Sequence, residues 1–347
     1  MTDFPSPREA ALRAAIVGGG LMGRWHAHAV EKCGGCVAAV VDTSEAAARR
    51  LAARHRAAST FTRVEPMLEQ IRPDVVHICT PLATHQPLAE LALEASCHLL
   101  VEKPLTADAR STEFLLERAA QRGVLLCPLH QFAFQDGVLQ TLRWLPDLGR
   151  VIHLQATFCS AGGAGLEAAV LDTIVADILP HPLSLLQTLA PHGLASDGWT
   201  ATRPADGEMR AHCTTQGVTA SLVISMNARP TESSFLILGT EGAIHLNLFH
   251  GYAFRQTGQV SRMRKIIHPF DSSLRHLAAA AFNLGGRTAR SEPAYPGLRR
   301  LVCEFYHAVG TKSAAPISPE ATLQAAHVRE VLMQQAGLLQ KPAVGDS

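Results

Sequence analysis

Charge is scarce. Asp, Glu, Lys and Arg make up 18% of the 347 residues, against about 25% in an average soluble protein. The 31 Lys and Arg nearly balance the 30 Asp and Glu, for a net charge of +1. No basic surplus is available to neutralise a phosphate backbone or an anionic bilayer, so neither nucleic acid nor a membrane is an expected partner. Cysteine is sparse as well. Eight residues are too few for a disulfide scaffold. Cys33 and Cys36 form a CxxC without a second pair to complete a zinc site. The expectation is free thiols in a reducing cytoplasm. Long apolar runs are also missing. Residues 1–13 hold Pro5, Pro7, Asp3 and Glu9 and no apolar signal-peptide core. The charge-free stretch 178–196 is interrupted by Pro180, Pro182 and Pro191, which a simple membrane span would not carry. These gaps point to a soluble cytoplasmic chain with a small-molecule substrate.

What is present is core-forming. Apolar residues are 47% of the chain, enough to offset the ordering entropy that keeps polar chains unfolded. The length suggests two domains. In the first third, β-branched runs at 14–17, 37–42, 75–79, 98–101 and 124–127 alternate with helical stretches at 21–31, 44–54, 86–95 and 107–121. Continuous apolar strands of this kind are buried on both faces of a parallel, doubly wound sheet. After about residue 128 the pattern changes. Runs at 153–158, 210–215, 219–226, 234–238 and 243–248 are separated by turns, as in an antiparallel sheet. Thr240-Glu241-Gly242 suits a hairpin turn, with the glycine supplying an unusual backbone angle. Helices are expected at 171–189, bent near Pro180 and Pro182, and at 298–309 and 319–336. The fold class is therefore α/β. A Rossmann domain, residues 1–128, precedes an α+β domain, residues 129–347, built on a predominantly antiparallel open sheet. That open sheet is a natural surface for self-association into a homodimer or homotetramer.

Gly18, Gly20 and Gly23 spell GxGxxG between the first strand and the first helix, with Leu21 and Met22 opening that helix. The first glycine makes the turn, the second admits a pyrophosphate, and the third lets helix and strand pack closely. Free N–H groups at the helix start then bind the anion. Asp42 ends the second strand 19 positions after Gly23, where an acid hydrogen-bonds the ribose hydroxyls and repels a 2′-phosphate. NAD is expected ahead of NADP.

With Cys79-Thr80-Pro81 and His85, then Glu102-Lys103-Pro104, then Asp177 and His181, the chain resembles the glucose–fructose oxidoreductase and inositol dehydrogenase family (Gfo/Idh/MocA). The likeness runs from about residue 13 to 336. It implies an NAD(P)-dependent oxidoreductase acting on a sugar, amino-sugar or cyclitol. Thr80 and Pro81 would line the nicotinamide side, with His85 behind them, and Glu102 would contact the nicotinamide ribose. Lys103 would reach the substrate oxygen, through a cis bond to Pro104. His181 would be the general acid/base, with Asp177 beside it in the substrate pocket.

The chemistry of the residue types agrees. Hydride transfer from a carbinol carbon needs a base for the hydroxyl proton and a charge to stabilise the oxyanion. Imidazole titrates near neutrality, and an i, i+4 Asp/His pair shares one helix face. His130 and Phe132 follow the last parallel strand and are candidate substrate contacts, with core packing as the alternative. The glycine-rich stretch 162–165 is a candidate lid. His26-x-His28, His245 and His250 join no carboxylate or thiol at ligand spacing, so no metal is expected. The surroundings of His181 depart from the family pattern, with Thr173 to Ala176 in place of glycines, Leu179 between Asp and His, and Ser184 where a second Asp is frequent. Two rival readings stay open: redox-neutral chemistry through transient oxidation, and a nucleotide sensor without turnover.

Overall fold

In a computed structural model, residues 11–55, 58–190, 197–258, 262–290 and 294–338 are described. The reading of residues 1–10 and of Pro191 lies outside these. The chain divides into two compact units, Met1–Leu129 with Leu298–Leu323, and His130–Gly297 with Gln324–Ser347. Leu298–Leu323 thus returns to the first unit, whereas the sequence pattern places all of 129–347 in the second domain.

The first unit alternates β1 (Arg13–Val17), α1 (Leu21–Lys32), β2 (Cys36–Val41), α2 (Glu45–Ala52), β3 (Ser59–Phe61), α3 (Val64–Ile71), β4 (Val75–Ile78), α4 (His85–Glu94), β5 (His98–Val101), α5 (Ala109–Arg122) and β6 (Leu126–Pro128). All strands pair in parallel, in the order β3-β2-β1-β4-β5-β6. This is the doubly wound sheet expected from the apolar runs. Strand β3 and helix α3 are additions to that expectation, since three residues ending in Thr60 and Phe61 are too short to show a periodicity. Ala15, Val17, Val76, Ile78, Leu99 and Val101 are buried on one face of the sheet against the helices. Order reverses between β1 and β4, which creates a crevice at their carboxyl ends.

The second unit carries α6 (Asp136–Trp144), β7 (Val151–Cys159), α7 (Ala168–Ile178), α8 (Pro180–Leu189), β8 (Trp199–Thr202), β9 (Glu208–Thr215), β10 (Val218–Ser225), β11 (Glu232–Gly239), β12 (Gly242–Asn247), β13 (Tyr252–Thr257) and α9 (Arg262–Ala289). Its seven-stranded sheet, β13-β12-β11-β7-β10-β9-β8, is antiparallel except where β7 and β10 run parallel. Alternating positions on β7, Leu154, Ala156 and Phe158, face a core completed by Leu183, Leu186 and Leu189 of α8. Strands β8 and β13 and helices α6 and α9 were not anticipated; Pro269 inside α9 and Gly285-Gly286 near its end disguise it as a loop. α10 (Leu298–Thr311) belongs to the first unit, and the division falls inside α11 (Pro319–Gln335), after Leu323.

The Thr240-Glu241-Gly242 turn joins β11 to β12 as expected, but Gly242 does not have a positive φ. Its need is space: a Cβ there would overlap the carbonyl of Gln256 on β13. Among the described residues, Ala168–Leu189 is long and apolar enough to span a membrane by length and composition, and half of it is buried within the protein.

The cysteine expectation needs correcting. Cys33, at the end of α1, forms a disulfide with Cys303 on α10, not with Cys36. Spacing in sequence could not show this, because the partners are 270 residues apart and meet only when α10 returns to the first unit. The other six cysteines are free.

Candidate functional site

At the carboxyl end of β1 the chain must turn within one residue. Gly18 does so at φ +106°, where an added Cβ would lie 2.5 Å from the carbonyl oxygen of Cys79. A side chain at Gly23 would overlap the Gly18 carbonyl, whereas Gly20 faces open space. Gly20 caps α1 without a side-chain hydrogen bond, so the N–H groups at the helix start remain directed outward. Leu21 beside them is 51% exposed, and Met22 is half-buried. A close turn, an open second glycine and an uncapped helix start are what a pyrophosphate requires. The three glycines fit a dinucleotide.

Asp42, at the end of β2, accepts hydrogen bonds from the backbone N–H of Gly19 (2.7 Å) and of Ser44 (2.8 Å). Its carboxylate is thereby fixed next to the glycine turn, with remaining lone pairs for ribose hydroxyls. Beyond β4, Thr84 Oγ1 donates to the Pro81 carbonyl at 2.7 Å and lies 2.8 Å from Thr80 Oγ1. This closes the Thr80-Pro81 loop on itself. His85 is buried, with ring nitrogens 2.9 Å from the Pro104 carbonyl oxygen and 2.8 Å from that of Thr80. It therefore staples the loop after β4 to the loop after β5. The Lys103–Pro104 bond is cis, and Lys103 is half-buried.

Glu102 is 8% exposed, and one of its carboxylate oxygens accepts from the Lys103 N–H at 3.2 Å. Burial by itself would raise the Glu102 carboxyl, but the His26 hydrogen bond, with help from the Lys103 charge and N–H, holds it below the usual carboxylate range. His26 is fully buried. Sequence reasoning considered it only as a metal ligand, and the structure gives it a different place, 3.3 Å from Glu102 and 2.9 Å from His77. His28 on the same helix is exposed, so the His-x-His pair points to opposite faces.

In the second unit, Asp177 and His181 straddle a break. Pro180 and Pro182 lack the N–H groups that would continue the ladder, and α7 ends at Ile178 while α8 begins at Pro180. Asp177 is exposed in the last turn of α7, and His181 is half-buried in the first turn of α8. The interruption is as expected, and it is local: Leu179 between the two helices keeps helical angles, φ −50° and ψ −38°, so Asp177 and His181 retain their i, i+4 relation across it. His181 stacks on Phe132, ring centroids 4.3 Å apart and 16° between planes. His130 is buried two residues earlier. His245 stacks on Phe254, and His250 packs near Tyr252; among the described residues no cluster suited to a metal occurs.

Comparison with known proteins agrees with this geometry. Residues 12–130 match the GFO_IDH_MocA family, described as an oxidoreductase family with an NAD-binding Rossmann fold. The chain is 26% identical over 231 residues to the NADP(+)-dependent scyllo-inositol 2-dehydrogenase IolU of Bacillus subtilis, covering 61% of this chain and 68% of that one. It is 33% identical over 196 residues to a dTDP-3,4-didehydro-2,6-dideoxy-alpha-D-glucose 3-reductase of Streptomyces violaceoruber, covering 53% and 57%. In fold it is similar to the UDP-N-acetylglucosamine 3-dehydrogenase GnnA of Acidithiobacillus ferrooxidans, with TM-score 0.73, 19% identity and coverage of 96% and 100%. Over its N-terminal unit, the chain is therefore similar to the Gfo/Idh/MocA oxidoreductases.

Proposed function

We propose that the protein is an NAD(P)-dependent dehydrogenase or reductase that moves a hydride between nicotinamide and a secondary alcohol or ketone carbon of a sugar, amino-sugar or cyclitol. The observation that carries this reading is one of placement. The glycine turn, Asp42, Thr80 and Glu102-Lys103-Pro104 stand at the carboxyl ends of β1, β2, β4 and β5, where open α/β sheets bind ligands. The names of the relatives, an inositol dehydrogenase and a nucleotide-sugar reductase, support the substrate class.

When bound, the dinucleotide supplies the hydride acceptor or donor. The chain's own groups do the rest. Gly18, Gly20, Leu21, Met22 and Gly23 hold the pyrophosphate, Asp42 the adenosine ribose, and Glu102 the nicotinamide ribose. Thr80 and Pro81 line the nicotinamide, with His85 fixing their loop. Lys103 donates to the substrate oxygen and stabilises its negative charge. His181 exchanges the hydroxyl proton, with Phe132 holding its ring plane and Asp177 and His130 bounding the substrate side. The location is proposed as cytoplasmic, and the assembly as a homodimer or homotetramer.

The test is absorbance of reduced nicotinamide with NAD and NADP against sugars, amino-sugars and cyclitols. Lys103→Ala and His181→Ala should each lower kcat by about 100-fold or more while nucleotide binding is kept. Wild-type turnover in both variants refutes these roles.

A further inference from the structure

Four side chains of the first unit run in line behind the loop after β5. Glu102 Oε1 is 3.3 Å from His26 Nε2, His26 Nδ1 is 2.9 Å from His77 Nδ1, and His77 Nε2 is 2.8 Å from Tyr306 Oη. Both histidines are fully buried, and Tyr306 and Glu102 nearly so. They come from α1, β4, the loop after β5 and α10, so tertiary structure alone assembles them. Buried polar groups at this density are costly unless each one is satisfied.

The donors and acceptors can be assigned in only one way while both rings are neutral. A neutral imidazole has one N–H and one lone pair. Ionised Glu102 only accepts, so His26 carries its proton on Nε2 and presents a lone pair at Nδ1. His77 must then donate from Nδ1, which leaves its Nε2 to accept from the Tyr306 hydroxyl. One carboxylate thus directs three hydrogen bonds. A proton added at His26 would turn His77 to its other tautomer, accepting at Nδ1 and donating to Tyr306. Burial holds the His77 ring well below the usual histidine range, in keeping with a neutral His77. Cys79 and Lys103 are the other titratable groups acting on this line at Glu102, and Asp74 and Cys36 at Tyr306.

We propose that Tyr306, His77 and His26 are positioning residues that hold Glu102 ionised and in one orientation, so that it can accept a ribose hydroxyl of the bound dinucleotide. This rests on the reading of Glu102 as a cofactor-binding residue. The surrounding fold is adapted to the same line. A Cβ at Gly35 would lie 2.6 Å from Tyr306 Cε2, so glycine makes room for the ring. The Cys33–Cys303 disulfide fastens the end of α1 to α10 one turn before Tyr306.

The first experiment measures ring-nitrogen chemical shifts of the histidines in the protein without nucleotide. The expected result at neutral pH is His26 protonated at Nε2 and His77 at Nδ1. The opposite pair of tautomers overturns the proposal. The second titrates NAD by intrinsic fluorescence and measures kcat at saturation. His77→Leu should weaken NAD binding about tenfold, as expected for losing support of a charged hydrogen bond, and Tyr306→Phe by less. Saturated kcat should change little, and His77→Gln, which restores a donor and an acceptor, should recover part of the affinity. Unchanged affinity in both His77→Leu and Tyr306→Phe overturns the proposal. If those variants do not fold, the wild-type tautomers decide it. Wild-type protein that shows the expected tautomers yet binds no dinucleotide refutes the cofactor reading of Glu102 and with it the purpose assigned to the line.

Discussion

Asp42 combines two tasks that are separable by mutation. Its carboxylate receives the N–H groups of Gly19 and Ser44, which fixes the glycine turn, and in the proposed function its charge opposes a 2′-phosphate. Asp42→Ser keeps an oxygen near the turn but removes the charge. It should raise KM for NAD about tenfold and shift the NADP/NAD ratio of kcat/KM toward NADP, as steady-state kinetics with both cofactors would show. His77 carries a second prediction at this scale. Its folded-state pKa lies well below the ordinary 6.5, through burial. The unfolded chain therefore binds the proton first as pH falls, and stability is lost as pH drops below about 6.5. Thermal melts from pH 8 to 5 should show Tm falling on the acid side, with a shallower fall in His77→Leu. An equal slope in both proteins would assign the acid sensitivity to other groups.

At the scale of elements, the disulfide and the broken helix show what connection does. Cys33 and Cys303 close a loop across 270 residues, and a cross-link of that span stabilises chiefly by restricting the unfolded chain. Cys33→Ser with Cys303→Ser should lower the unfolding free energy by about 2–5 kcal/mol in denaturant titrations without reductant. Wild type with reductant should match the double variant; a stability unaffected by either change would show the two thiols to be unlinked in solution. The α7–α8 break was legible in advance, because Pro180 and Pro182 remove two successive alternate ladder bonds.

At the scale of the molecule, α9 is 28 residues long. It seats its polar side on the protein through Ser272 to Gln256, His276 to Tyr252 and Asn283 to the His250 carbonyl. Its other side presents Ile267, Phe270, Leu274, Leu277, Ala281 and Leu284, spaced alternately three and four residues apart, with Phe270 76% and Leu274 and Leu277 each 67% exposed. That spacing is a coiled-coil seam. Of the flanking positions, Ser273, Ala278, Ala280 and Gly285 are small and uncharged, and Asp271 and Arg287 carry opposite charges toward the two ends of the seam. The homo-oligomer proposed here is therefore expected to use α9. Light scattering should show Leu274→Arg with Leu277→Arg in a smaller assembly than wild type; an unchanged mass would move the interface elsewhere, the open sheet being the next surface to test.

The sequence by itself determined what is local or periodic. Apolar runs separated by helical stretches specify a parallel sheet, and glycine is required at Gly18 and Gly23, where backbone passes that close to backbone. Asp42 and Glu102-Lys103-Pro104 follow at strand ends that the same pattern locates. Tertiary structure alone decided what depends on distant segments meeting. Residues 298–323 return to the first unit, which pairs Cys33 with Cys303 and brings Tyr306 to His77. His26 and His77 then become neighbours of Glu102 instead of isolated polar residues on apolar elements. No periodicity encodes such contacts, because their free energy exists only once the intervening chain has folded and closed the loop between them.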